Sequence, residues 1–277
     1  MRWTHRMRSW VAPRARERVR PEEQLPSGTL VYQCNICGTR CAIAVSELHR
    51  EAGHCCACHA TMRSRSVVHH LSTGLFGASL PIAGFPVAAR VMKGIGMSDA
   101  EDYAPALARH LQYTNTYYHQ EPRLDILAPP EAYLGACDFV ISSDVFEHVP
   151  PPVSAALRNL RRLLKPGGLL VFTVPFAVEG QTREHFPDLH EYSIESREGK
   201  PVLVNTTREG HRQEYTDLVF HGGAGATLEM RLFSVASLRS DLEAVGFGNV
   251  TVHAEPCFER GIYWSAPWSV PITALAA

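Results

Sequence analysis

Residues 137–176, CDFVISSDVFEHVPPPVSAALRNLRRLLKPGGLLVFTVPF, constrain the fold more than any other stretch of the chain. An apolar run turns polar at Ser142, Ser143 and Asp144. A helix-length run follows, with Ala156, Leu157, Leu160 and Leu164 on one side. KPGG is a sharp stop. LLVFTVPF is then apolar without alternation, as a parallel strand buried on both faces must be. Strand, amphipathic helix and strand together call for a sheet with helices packed on its faces.

The same alternation begins near Val87 and continues beyond this stretch. PVAARVMKG reads as a strand. DAEDYAPALARHL reads as a helix, with Ala104, Leu107 and Leu111 in register, and QYTNTYYH as a strand. Ser234 has the place of an N-cap for VASLRSDLEAV, Gly246 ends that helix, and NVTVHAE follows as a strand. The expected fold class is α/β, a doubly wound and mostly parallel sheet. In VMKGIGMSDAEDY, Gly94 and Gly96 are read as a tight loop between a strand and a helix N-terminus. Nucleotide-like ligands often sit at such a place.

Six of the eight cysteines fall between Cys34 and Cys58. Cys34 and Cys37 form one C-x-x-C and Cys55 and Cys58 another, with 17 residues between the pairs. This is the spacing of a four-thiolate zinc site. Each C-x-x-C turn presents two sulfurs to one ion, and Gly38 allows the backbone to turn beneath it. Cys41, Cys56, His54 and His59 lie close enough to compete as ligands, but spacing favours Cys34, Cys37, Cys55 and Cys58. Four protein ligands leave no open position, so the expected zinc is structural. No apolar run follows the early charges, so an export signal is not expected, and neither are disulfides.

Charged residues make up 20% of the chain and the net charge is −1, which does not suit a nucleic-acid binder built on whole-protein charge. Seven arginines crowd the first 20 residues, interleaved with Trp3 and Trp10. That segment is expected to be a solvated tail; contact with RNA or an anionic membrane is the alternative. Residues 71–89 are uncharged, yet their glycines and prolines suit a helix end and a loop better than a membrane span. The chain is expected to be soluble and cytoplasmic.

At this point the stretch 137–176 resembles the second half of a class I S-adenosylmethionine-dependent methyltransferase of the type 11-like group. Asp138 opens the fourth strand, DVFEHV follows it, and a helix ending in LKPGG leads into the fifth strand. FSVASLRSDLEAVGFGNVTVH is similar to the last helix of that family and the strand after it. The cysteine segment followed by MRSRS resembles an N-terminal zinc ribbon found in a subset of bacterial methyltransferases. The resemblance implies a seven-stranded sheet and three divisions: a basic tail over 1–28, a zinc-ribbon-like module over 29–65, and a methyltransferase-like domain over 66–277 with an insertion at about 178–217.

It also implies a cofactor site. Gly94, Gly96, Ser98 and Asp99 would meet the methionine end, with Lys93 standing where the family prefers an acid. Asn115, or Glu121, would meet the ribose, Asp125 the adenine, and Ser143 the cofactor at the end of the fourth strand. The expected activity is methyl transfer to oxygen or nitrogen of a small-molecule or sugar-like acceptor. An RNA methyltransferase and a non-catalytic binding protein are the alternatives. Arg63 and Arg65 are placed on the surface by default. A hydroxyl acceptor needs a general base, and His148, His211 and His221 are the candidates. His185, His190 and His211 lie in the polar insertion, where an acceptor lid is expected. The glycine-rich loop after His221 is expected to cover the site. The sequence leaves the oligomeric state open.

Overall fold

A computed structural model describes residues 28–221 and 227–277. The arginine-rich tail and the glycine-rich loop after His221 lie outside the described residues. β1 (Thr29–Gln33) and β2 (Arg40–Ala44) form an antiparallel hairpin, and α1 (Met62–Phe76) follows the second cysteine pair. Thr61 caps α1 by accepting from the Ser64 amide, and Gly77 ends it in the left-handed conformation. The boundary expected at residue 65 therefore falls inside a helix.

The main sheet contains β3 (Lys93–Met97), β4 (Gln112–Thr116), β5 (Cys137–Ser143), β6 (Leu164–Thr173), β11 (Phe247–Val252) and β12 (Ile272–Ala276), in the order β11-β12-β6-β5-β3-β4. Its helices are α2 (Ala104–His110), α3 (Val153–Leu163) and α4 (Val235–Ala244). β4, β3, β5 and β6 run parallel, β12 pairs antiparallel with β6, and β11 pairs antiparallel with β12. The sheet has six strands among the described residues, not the expected seven. Beyond β4 the chain makes only an isolated bridge between Tyr117 and Arg123, and Pro122, Pro129 and Pro130 withhold the ladder donors an edge strand would need.

Both faces of the sheet are buried, with period two. Val140, Leu170 and Phe172 pack with Leu157, Leu160 and Leu238 from α3 and α4. Phe139, Ile141, Leu169 and Val171 pack with Leu71 of α1 and Leu107 of α2. This explains the unalternated apolar runs. The insertion carries its own antiparallel sheet, β7 (Glu191–Arg197), β8 (Lys200–Thr206) and β9 (Arg212–Tyr215), and β10 (Arg231–Ser234) leads into α4. No helix among the described residues is long and apolar enough to cross a membrane.

Two expectations for the first strand are corrected. Residues Val87–Val91 form a 3-10 turn behind Pro86, with Val87 and Val91 largely exposed, and the strand begins only at Lys93. Gly94 and Gly96 are therefore strand residues, not a loop. A Cβ at Gly94 would overlap the Phe139 ring, and one at Gly96 the Tyr113 hydroxyl and the Asp99 carboxylate. The glycines let aromatic side chains of neighbouring strands cross the backbone of β3. KPGG likewise belongs to β6, with Gly167 at φ 75°.

Candidate functional site

The strand order reverses between β3 and β5, so a crevice opens at their carboxyl ends. Ser98, in the left-handed conformation, and Asp99 follow β3; Ser143 and Asp144 lie at the end of β5. Lys93 stands at the opposite end of β3. There its amide and the Lys165 ammonium both donate to Asp138, at 2.7 Å each. Lys93 is thus not the residue at the cofactor end of the strand, because that strand starts later than the sequence suggests.

The cysteine module covers this crevice. Arg50 donates to both oxygens of Asp144 at 2.6 Å, and Arg63 donates to Ser143 Oγ at 2.8 Å and to Glu51. Thr173 Oγ1 donates to Asp144 Oδ1 at 2.9 Å. Burial alone would raise the Asp144 carboxyl, but Arg50 and Arg63 hold it below the usual carboxylate range. Neither Arg63 nor Arg65 takes the expected surface place. Arg65 is fully buried and donates to the carbonyls of Gly53, Ala60, Arg260 and Gly261 at 2.8–2.9 Å.

Asp99 is buried, accepts from the Tyr113 hydroxyl at 2.5 Å, and keeps Oδ1 without a partner. Burial pushes its carboxyl from the usual 3.8 up to about 7, against the hydrogen bond from Tyr113 and the charge of Arg63. A carboxyl that holds its proton more tightly when folded lends stability at acid pH and loses it as pH rises through the folded value. Stability is therefore expected to fall between about pH 4 and 7 through this group, by a few kcal/mol at most. Asp99→Asn should flatten that slope in urea unfolding and be the more stable protein above the window. A slope unchanged in the variant would refute this.

Asn115 is committed to the backbone: its Oδ1 accepts from the Asp99 amide at 2.8 Å and its Nδ2 donates to the Asp99 carbonyl at 2.9 Å. It shapes the turn after β3, and its Nδ2 also donates to the Tyr117 hydroxyl at 3.1 Å. Asp125 makes an Asx turn to the Leu127 amide at 2.9 Å, and Glu121 accepts from the Arg123 amide.

Beyond β5, the 3-10 turn Phe146–His148 is gripped by residues 228–231. The Met230 amide donates to the Glu147 carbonyl at 2.7 Å, Arg231 to the Phe146 carbonyl at 2.6 Å, and His148 Nδ1 to the Leu228 carbonyl at 2.9 Å. This fold-back brings His148 and His221 together, ring centroids 4.7 Å apart. His185 joins them through Glu229, which holds His185 Nε2 at 2.8 Å and His221 Nε2 at 2.9 Å. His190 and His211 are exposed on the insertion and do not enter this group. The sequence reading passed over Glu147, Glu229, Arg50 and Glu51. Glu147 was legible, since it stands beside His148 in the quoted DVFEHV; the others meet the site only through long-range folding.

A cavity of about 250 Å³ lies beside the crevice, lined by His49, Arg50, Glu51, Met62, Trp264 and Trp268. Arg50 stacks over the Trp268 ring at 5.9 Å, and Trp264 Nε1 is buried without a partner. Such a wall offers flat apolar faces beside a charged guanidinium to a small molecule.

In the module, the two cysteine turns repeat one geometry. Gly38 N–H donates to the Cys34 carbonyl at 2.8 Å and His59 N–H to the Cys55 carbonyl at 3.0 Å, both donors at positive φ. Cys34 and Cys58 sulfurs are 3.8 Å apart, and those of Cys37 and Cys55 3.6 Å. The sulfur atoms of all four cysteines lie within 4.8 Å of one another. A tetrahedron of zinc–sulfur bonds has edges of about 3.8 Å, so the donor set fits zinc. Cys41 and Cys56 form a disulfide, contrary to the expectation that the chain has none. The hairpin carries Cys41 inward and leaves its Cα 5.9 Å from that of Cys56, within bonding reach.

Residues 87–252 match a family model described as a methyltransferase domain. A comparison with curated proteins finds no match. Among solved structures, the chain is 15% identical to a 1,6-didemethyltoxoflavin-N1-methyltransferase of Burkholderia thailandensis, covering 78% of each chain with a TM-score of 0.44. An S-adenosylmethionine-dependent methyltransferase of Mesorhizobium loti is 14% identical, over 70% of this chain and 94% of that one, with a TM-score of 0.41. CalS10, an amino pentose methyltransferase of Micromonospora echinaspora, is 15% identical, over 78% and 94%, also with a TM-score of 0.41. At these identities and scores, only the family match bears on what the chain is.

Proposed function

The chain belongs to the methyltransferase-domain family through residues 87–252, and from that premise we propose that it transfers a methyl group from S-adenosylmethionine to an oxygen or nitrogen of a small, sugar-like acceptor. The observation that carries this reading is the meeting of opposite charges at the switch point of the sheet. Asp99, with an oxygen unpartnered, suits the ammonium of the cofactor, and Arg63, on Ser143, suits its carboxylate. When bound, the cofactor supplies the electrophilic methyl group. The chain's own work is alignment of the acceptor and exclusion of water. The tryptophan-walled cavity beside Arg50 takes the acceptor.

Calorimetric titration with S-adenosylmethionine and S-adenosylhomocysteine tests the reading. Both are expected to bind, and Asp144→Asn, which frees Arg50 and Arg63 from their shared anchor, should bind them at least about tenfold more weakly. Absence of binding by either ligand would overturn the proposal. One observation favours a second reading, a binding protein that keeps the fold without the transfer: Gly94 and Gly96 are spent on aromatic packing inside β3 instead of forming a loop. The same titration separates the two. An RNA acceptor draws on the arginine-rich tail, which lies outside the described residues, and is not proposed.

A further inference from the structure

Glu147 is the most anomalous residue beside the crevice. Its side chain is fully buried, and neither carboxylate oxygen has a hydrogen-bond partner. Leaving a buried carboxylate unpaired is costly, so such a group calls for an explanation. Two ring nitrogens face one of these oxygens. His148 Nε2 stands 3.7 Å from Glu147 Oε1, and His221 Nδ1 stands 3.8 Å from the same oxygen. Both separations are too long for hydrogen bonds. They are close to the donor–donor edge, about 3.4 Å, of a tetrahedron of metal–nitrogen and metal–oxygen bonds.

The histidines are also prepared in a specific way. The Leu228 carbonyl takes the Nδ1 proton of His148, which leaves the Nε2 lone pair facing Glu147. Glu229 takes the Nε2 proton of His221, which leaves the Nδ1 lone pair facing the same place. Glu229 is itself fixed by His185. A carbonyl or carboxylate behind each imidazole is the usual support of a metal-ligating histidine. The carboxylate oxygen and the two nitrogens lie within 4.8 Å of one another.

We infer that Glu147, His148 and His221 form a second metal centre, a two-histidine, one-carboxylate site for a divalent transition ion, separate from the four cysteines. Its ligands are harder than thiolates and suit manganese, iron or zinc. Three protein ligands leave positions open, unlike the closed cysteine site. An ion there adds positive charge just beyond the end of β5 and favours ionisation of an acceptor hydroxyl. That consequence rests on the methyltransferase reading; the ion site does not.

The test is a titration of zinc-replete protein with Mn²⁺, with free Mn²⁺ counted by electron paramagnetic resonance. Manganese competes poorly for the four thiolates, so the cysteine site does not confuse the count. One Mn²⁺ per chain is expected, bound more than about tenfold more weakly by Glu147→Gln and by His221→Ala. Thermal melts without added metal show whether each variant is folded. No binding of Mn²⁺ to the unaltered protein up to millimolar concentration, with zinc content no higher than one per chain, would overturn the inference. So would equal binding by the unaltered protein and a folded Glu147→Gln variant. Cofactor calorimetry on the same samples keeps the two ideas apart: cofactor binding without Mn²⁺ sinks only the ion site, and Mn²⁺ binding without cofactor sinks only the transferase reading.

Discussion

Arg65→Ala is expected to cost about 3–5 kcal/mol or more, enough to unfold much of the protein at physiological temperature. The side chain has no exposed surface and donates to four main-chain carbonyls, two in the cysteine module and two near residue 260. Its guanidinium also lies 4.6 Å from the centre of the Tyr32 ring. Truncation leaves the Gly53, Arg260 and Gly261 carbonyls without this donor and Ala60 with only the Cys55 amide, and adds a cavity. Arg65→Lys keeps the charge but has one point of donation where the guanidinium has a fork, so it should recover only part of the loss. Urea unfolding followed by circular dichroism measures this. A midpoint for Arg65→Ala close to that of the unaltered protein would show that the four bonds do not hold the module in place.

Loss of the thiolate metal should be as severe. Freshly purified protein is expected to contain zinc at the four-cysteine site, and Cys34→Ser should lose it. Structural zinc contributes on the order of 10 kcal/mol to modules of this kind, comparable to the whole stability of a domain. Cys34 and Cys55 are fully buried in the module, whereas Cys37 is exposed and Cys58 half-buried. With the metal gone, the loop carrying Arg50 and Glu51 loses its support and Asp144 loses its bidentate partner. The variant should therefore fail to bind S-adenosylmethionine although no crevice residue has changed. Less than half an equivalent of zinc in the purified protein, or a Cys34→Ser variant that melts with the unaltered protein, would count against the ligand set.

What was legible in the sequence follows from physics that acts locally. β5 and β6 declare themselves because both faces are buried, and α3 because its apolar residues share a side. The cysteine pairs declare themselves because spacing sets how two turns meet one ion. β3 was misread because glycine marks a loop only when nothing else needs its missing side chain, and here Phe139 and Tyr113 do. Arg65 was misread because charge predicts exposure unless the fold supplies carbonyls from residues nearly 200 positions away. The histidine group was half legible. His148 follows directly from its place after β5, whereas its meeting with His221 and Glu229 depends on segment 228–231 folding back across the 146–148 turn.

The Arg65 joint also bears on the order of events when the chain folds. Tyr32 packs beneath Gly261, and Arg260 reaches back to Gln33 and to Ser79. β12, contributed by residues 272–276, is the strand that joins β11 to the rest of the sheet. The docking of the cysteine module on residues 260–261 and the joining of β11 to the sheet wait until these late residues are available. Contacts of such long range are slow to form, because the loop entropy must be lost before the bonds reward it. During synthesis the early cysteines would wait as reactive thiols, open to any metal or oxidant, for most of the time the ribosome takes to reach residue 276. Zinc captured early by the four cysteines would thus protect them as well as stabilise the module.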